Sequence, residues 1–159
     1  MHENHSTMEQ KKLIKVVFDL EKSDWHDHAT ESVWAISRGE DLYEIDNVPF
    51  YIYGISYKDT VRARKAYSLF EFQKVEKRGG HSTYRIFLVN DSTRHRFGEY
   101  WKPLEQLGCF YEEGTEILVA VDVPPVADIY KAYDALQKGE TDGIWDFEEG
   151  YCGHPLKWR

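Results

Sequence analysis

Apolar and polar residues alternate over Lys12–Leu20 (KLIKVVFDL), with Ile14, Val16, Phe18 and Leu20 on one side and Lys15 and Asp19 on the other. A period of two predicts a strand with one buried face. The polar stretch SDWHDHAT breaks the pattern, and Glu31–Ser37 predicts a second strand ended by Arg38-Gly39. Leu42–Asp46 predicts a third. Asp46-Asn47-Val48-Pro49 then reads as a turn, because Asp and Asn bond back to the backbone and proline removes a donor. Phe50–Tyr57 (FYIYGISY) predicts an aromatic strand in which Gly54 marks a bulge or the close approach of another backbone. Asp59–Lys65 and Leu69–Lys77 predict two more, closed by Arg78-Gly79-Gly80. Short strands in succession without a helix are the pattern of a small barrel or rolled sheet.

The pattern changes after Gly80. His81–Val89 (HSTYRIFLV) predicts a strand. Phe97, Tyr100, Trp101, Leu104 and Leu107 then recur at helical spacing, with Pro103 expected to kink or delay the helix and Gly108 to end it. Cys109–Glu112 predicts a short strand. Thr115–Val123 (TEILVAVDV) is almost continuously apolar, as a strand covered on both faces would be. Val126, Ile129, Tyr130, Tyr133 and Leu136 repeat the helical spacing, with Gly139 expected as the cap, and Ile144–Glu149 predicts a last strand. The order strand, helix, strand, strand, helix, strand is that of a split βαβ, ferredoxin-like unit. In that unit the two most apolar segments, HSTYRIFLV and TEILVAVDV, fall at the centre of the sheet and Gly143–Glu149 at an edge beside the first. The expected fold is therefore α+β: residues 1–10 a flexible tail, residues 11–79 a small all-β, barrel-like half, and residues 80–159 a ferredoxin-like half. Gly79-Gly80 is too short to be a free linker, so the halves are expected to pack as one unit.

Composition narrows the function classes. With 42% apolar and 15% aromatic residues the chain can build a packed interior, which excludes general disorder. No run approaches the ~20 apolar residues of a membrane span, and the N-terminal MHENHSTMEQKK lacks the apolar centre of a signal peptide. The expectation is a soluble cytoplasmic protein. Two cysteines, Cys109 and Cys152, make no disulfide framework and read as free thiols. The net charge is −8, and within residues 110–150 there are 11 acids against Lys131 and Lys138 alone. Such a field repels nucleic-acid phosphates and attracts basic surfaces.

The stretch GIWDFEEGYCGHP (Gly143–Pro155) is the richest in chemistry. On a strand, Trp145, Phe147 and Glu149 share one face, and Asp146 and Glu148 the other. Aromatic anchors beside acids suit the binding of a basic partner, so Trp145, Phe147, Glu148 and Glu149, with Glu112 and Glu113, are the expected partner-binding residues. Adjacent acids on one strand point apart, which argues against a glycosidase-type carboxylate pair. His81, Ser82, Cys152 and His154 are secondary candidates. Two Cys and two His could hold zinc in principle, but no CxxC or HxxxH spacing is present, so no metal or cofactor is expected. GHST at Gly80–Thr83 is not a phosphate loop, because no GK[ST] and no helix start follow. Arg62, Arg64, Lys65, Lys74, Lys77 and Arg78, with Tyr57 and Tyr67, form a basic-aromatic cluster of a kind that small barrels use on nucleic acid.

The motifs IDNVPF (Ile45–Phe50), YGISYKD (Tyr53–Asp59), GHSTYRI (Gly80–Ile86), VDVPP (Val121–Pro125) and FEEGYCGHP (Phe147–Pro155) together resemble a bacterial family, one of the domains of unknown function, over roughly Glu31 to Pro155. The resemblance implies a bacterial intracellular protein and brings no reaction, cofactor or catalytic residue. By analogy with small acidic bacterial proteins that act as immunity partners of toxins, the preferred expectation is a non-enzymatic protein that occludes a basic surface on its partner. The alternatives are an RNA- or small-ligand-binding module using the basic-aromatic cluster, and an enzyme built from Cys, His and Glu.

Overall fold

In the computed structural model of the chain, residues 13–157 are described; the expected tail at residues 1–10 lies outside them. Five strands form the first half: β1 (Leu13–Asp19), β2 (Thr30–Gly39), β3 (Leu42–Ile45), β4 (Thr60–Ala66) and β5 (Leu69–Lys77). Each pairs antiparallel with the next, and β5 pairs back in parallel with β1 through Val16–Phe70 and Val17–Glu71, so that the pairings form a closed ring. The inward positions of the alternating pattern, Val16, Phe18, Val33, Ala35, Tyr43, Ile45, Val61 and Ala63, fill its interior.

The second half contains β6 (Ser82–Phe87), α1 (Phe97–Gln106), β7 (Phe110–Glu113), β8 (Leu118–Val123), α2 (Ile129–Thr141) and β9 (Asp146–Tyr151). Its antiparallel sheet has the order β7-β8-β6-β9, with β6 and β8 central and β9 at the edge beside β6. Every residue of β8 is buried, Asp122 included, as a nearly continuous apolar run covered on both faces predicts. One face of the sheet (Tyr84, Ile86, Val119, Val121) joins Trp101, Leu104, Ile129, Ala132 and Leu136 of the helices in a core. The described residues are thus α+β, with two predominantly antiparallel sheets and two α-helices. No helix among the described residues is long and apolar enough to cross a membrane.

Three sequence expectations need correction. First, Phe50–Tyr57 is not a strand: residues 46–59 run irregularly from β3 to β4. Their alternation suits a strand, but the amides of residues 50–52 and the carbonyls of Phe50 and Ile52 are satisfied by side chains rather than by a neighbouring strand. Gly54, at φ 87°, does approach another backbone, donating to the Gly150 carbonyl at 3.1 Å. Second, Gly139 does not cap α2. It lies inside the helix, where a β-carbon would overlap the Trp145 indole. The end comes at Gly143 (φ 76°), where the amides of Gly143 and Ile144 return to the carbonyls of Glu140 and Gly139. Third, the last strand therefore starts at Asp146 rather than at Ile144. Helix α1 runs through Pro103 and ends, as its glycine predicts, with Gly108 at φ 95°.

Candidate functional site

The face of the second sheet turned from its helices carries Arg85 and Asp122, both fully buried, and meets the 46–59 segment of the barrel half. Glu31, at the start of β2, accepts hydrogen bonds from the amides of Phe50 (2.7 Å), Tyr51 (3.0 Å) and Ile52 (2.8 Å). From the opposite side, Arg85 Nε donates to the Phe50 carbonyl (2.8 Å) and Nη2 to the Ile52 carbonyl (2.6 Å). A carboxylate thus satisfies the donors of this segment and a guanidinium its acceptors, in place of a strand ladder. Burial lowers the pKa of Arg85, while the charges of Glu31 and Glu148 raise it again. Its Nη1 has no hydrogen-bond partner among the described residues and lies where a β-carbon of Gly150 would sit.

Further along the same seam, Ser56 and Thr83 hydroxyls meet at 2.6 Å, and Arg78 bridges Asp59 (3.0 Å) and the Gly54 carbonyl (2.6 Å). His81 Nδ1 lies 2.8 Å from Asp122. Burial raises the Asp122 carboxyl above the ordinary range, against the hydrogen bond of His81 and the charges of His81 and His154. His154 Nε2 meets the Pro124 carbonyl at 2.9 Å, and a carbonyl can only accept, so that nitrogen carries a proton. Ser82 Oγ lies 2.6 Å from His154 Nδ1 and accepts from the Gly153 amide. This is a nucleophile–base distance, but Ser82 is fully buried and its oxygen is already engaged on both sides. The pair fixes residues 153–154 against β6 and Pro124.

One end of the seam opens into a cleft. The loop between β1 and β2 folds over Tyr51 and Tyr53, enclosing about 470 Å³ lined by Asp19, Glu21, Lys22, Asp24, His26, Tyr51 and Tyr53. Trp25 stacks on Tyr51 (5.3 Å, 28°) and meets Phe87 edge-on (5.0 Å), while His28 lies 4.5 Å from Tyr51. Tyr53 is half exposed, and its hydroxyl bonds the Glu148 carboxylate (2.7 and 2.8 Å). Asp146, opposite Phe87 in the β6–β9 register, shares the sheet face of Glu148. Rings held by a rigid seam and bordered by carboxylates form a surface suited to positive charge.

The family described as a domain of unknown function, DUF4265, matches residues 31–147. The chain belongs to this family. No curated protein matches it. A crystal structure of a hypothetical protein from Neisseria gonorrhoeae has the same fold, with a TM-score of 0.71 at 17% identity, covering 90% of this chain and 95% of that one.

In this DUF4265 chain the six expected partner-binding residues do not form one surface. Trp145 is a correction: it is 2% exposed, and its indole donates to the Leu136 carbonyl at 2.9 Å, so it is a core residue beneath α2. Phe147 is half-buried against Tyr84 and Tyr133 on the helix side. Glu149 is exposed on that same side and accepts from Tyr84 (3.3 Å), whereas Glu148 faces the barrel half. Glu112 and Glu113 lie on β7 at the other edge, three strand spacings or about 14 Å away. Glu112 accepts from the Val48 amide (3.2 Å), while Glu113 is exposed.

Among the secondary candidates, His81 is paired with Asp122 and Ser82 with His154; Cys152 Sγ lies 3.6 Å from the His154 carbonyl. Cys109 is buried, and burial with the nearby Asp122 charge pushes its thiol up to about 12. No group of three or more His, Cys, Asp or Glu among the described residues is placed to hold a metal ion. The basic cluster is largely paired within the barrel half: Arg62 and Lys74 with Glu76, Arg64 with Glu71, and Arg78 with Asp59. Trp25, Tyr51 and Tyr53 were missed as site residues. Their signal in the sequence is Trp25 between Asp24 and Asp27 in SDWHDHAT and the aromatic run FYIY.

Proposed function

We propose that this chain is a non-enzymatic binding protein of the bacterial cytoplasm, an immunity protein that neutralises a cognate toxin by covering a basic surface on it. One contrast carries the reading. The groups with catalytic character are engaged inside the seam, whereas exposed carboxylates and aromatic rings gather at its open end. Of the residues expected from sequence, Glu148 keeps its place in this surface, joined through Tyr53 to the cleft. Asp146, Asp19, Glu21 and Asp24 extend it. At the level of the fold, we read residues 82–151 as ferredoxin-like, which the β7-β8-β6-β9 order with a helix after β6 and after β8 supports. The ring of pairings supports a small barrel for residues 13–77.

The reading is tested by isolating the tagged chain from its own host in low salt. The expected result is one stoichiometric partner whose expression arrests cells lacking this chain, with growth restored by the native chain and not by an Asp146→Lys/Glu148→Lys variant. A partner that is harmless alone, or growth restored equally by the variant, would contradict it.

A further inference from the structure

We infer that the cleft between residues 19–26 and Tyr51–Tyr53 receives a lysine or arginine side chain projecting from the partner's basic surface. The inference rests on the binding-protein reading and specifies the contact. The cleft, at about 470 Å³, has ample room for one long side chain. Among the described residues its charged lining is Asp19, Glu21 and Asp24 against Lys22. Asp27, Asp146 and Glu148 add negative charge beside Trp25 and Tyr53. His26 Nδ1 accepts from the His28 amide at 3.1 Å, which fixes the ring at the cleft's rim.

The rings are fixed before any ligand arrives. Tyr51 is held by Trp25 on one side and by the backbone clamp of Glu31 on the other. Tyr53 is held by Glu148 at its hydroxyl and by the Arg85 guanidinium, 5.1 Å from its ring centre. The chain already makes this type of contact with its own cations, since the Arg78 guanidinium lies 4.0 Å from the Tyr151 ring centre. A ring already immobilised loses little further freedom on binding, and its negative face attracts a cation near a carboxylate more strongly than either group does alone. A neutral polar ligand such as a sugar would use the rings but not the charge.

The experiment titrates the full-length protein with acetyl-arginine amide, its uncharged citrulline analogue and methyl glucoside. The readout is the indole N–H resonance of Trp25, assigned from a Trp25→Phe variant. Arginine amide is expected to shift it saturably with roughly millimolar affinity, as a single side chain does, while citrulline amide and the glucoside leave it in place. Glu21→Gln and Asp24→Asn, both at exposed positions, are each expected to weaken the arginine effect up to about fivefold. Equal shifts from citrulline, a shift from the glucoside alone, or no saturable shift from arginine would overturn the inference. Those outcomes leave the binding-protein reading intact, because that reading is decided by recovery of the partner and not by this titration.

Discussion

At the scale of single residues, the account depends on Glu31 and Arg85. They stand on opposite sides of residues 50–52 and supply, respectively, acceptors and donors to a buried backbone. Removing either charge leaves the other uncompensated and its share of the backbone unsatisfied. Glu31→Gln and Arg85→Met should each cost about 3–5 kcal/mol in urea denaturation, and the double variant clearly less than the sum. Additive losses would show that the two act independently. Asp122 gives a pH signature. Burial raises its folded pKa above the unfolded value, so the folded state binds the proton more tightly. The resulting stabilisation is complete below the unfolded pKa of about 4 and is lost as pH rises through the folded pKa. The stability of the native chain relative to Asp122→Asn should therefore fall as pH rises from about 4, and then level off. A difference that stays flat over this range would contradict the assignment. None of this was legible locally. Glu31 reads as the polar start of a strand and Arg85 as a break in an apolar run, because their partners lie 19 to 35 residues away in sequence.

At the scale of elements, strands with one buried face and helices with strong periodicity were readable, because burial itself imposes the pattern. The segment 50–57 was not. FYIY alternates as well as any strand here, but whether a ladder partner or a pair of charged side chains meets the backbone is decided by tertiary placement. The end of α2 was misplaced for a related reason. Gly139 looks like a stop signal, yet it is glycine because the Trp145 ring lies against it, and the stop four residues later also falls on glycine, Gly143. Gly139→Ala separates the two roles. Helix propensity alone would make alanine stabilising by about 1 kcal/mol, whereas displacement of Trp145 should destabilise the protein by about 1–3 kcal/mol net. A raised melting temperature would show that the indole moves aside freely.

At the scale of the whole molecule, the two halves share a seam of buried hydrogen-bonded charges, and the excess of acid remains on the outside. The sequence pattern separated the halves near Gly79-Gly80, and β5 ends at Lys77 with β6 starting at Ser82. It could not show which loops meet across the seam, and so it grouped Glu112 and Glu113 with the acids and rings of the last strand, whereas topology puts the two sets at opposite sheet edges. The central claim is that the open end of the seam binds a basic partner through charge and fixed rings. Its most direct test is the dissociation constant for the isolated partner against ionic strength, for the native chain and for Asp146→Lys/Glu148→Lys. The account predicts at least about tenfold weaker binding for the native chain between roughly 50 and 500 mM salt, and a similar or larger loss for the variant at low salt. Binding that is insensitive to salt and unchanged by the two reversals would contradict it.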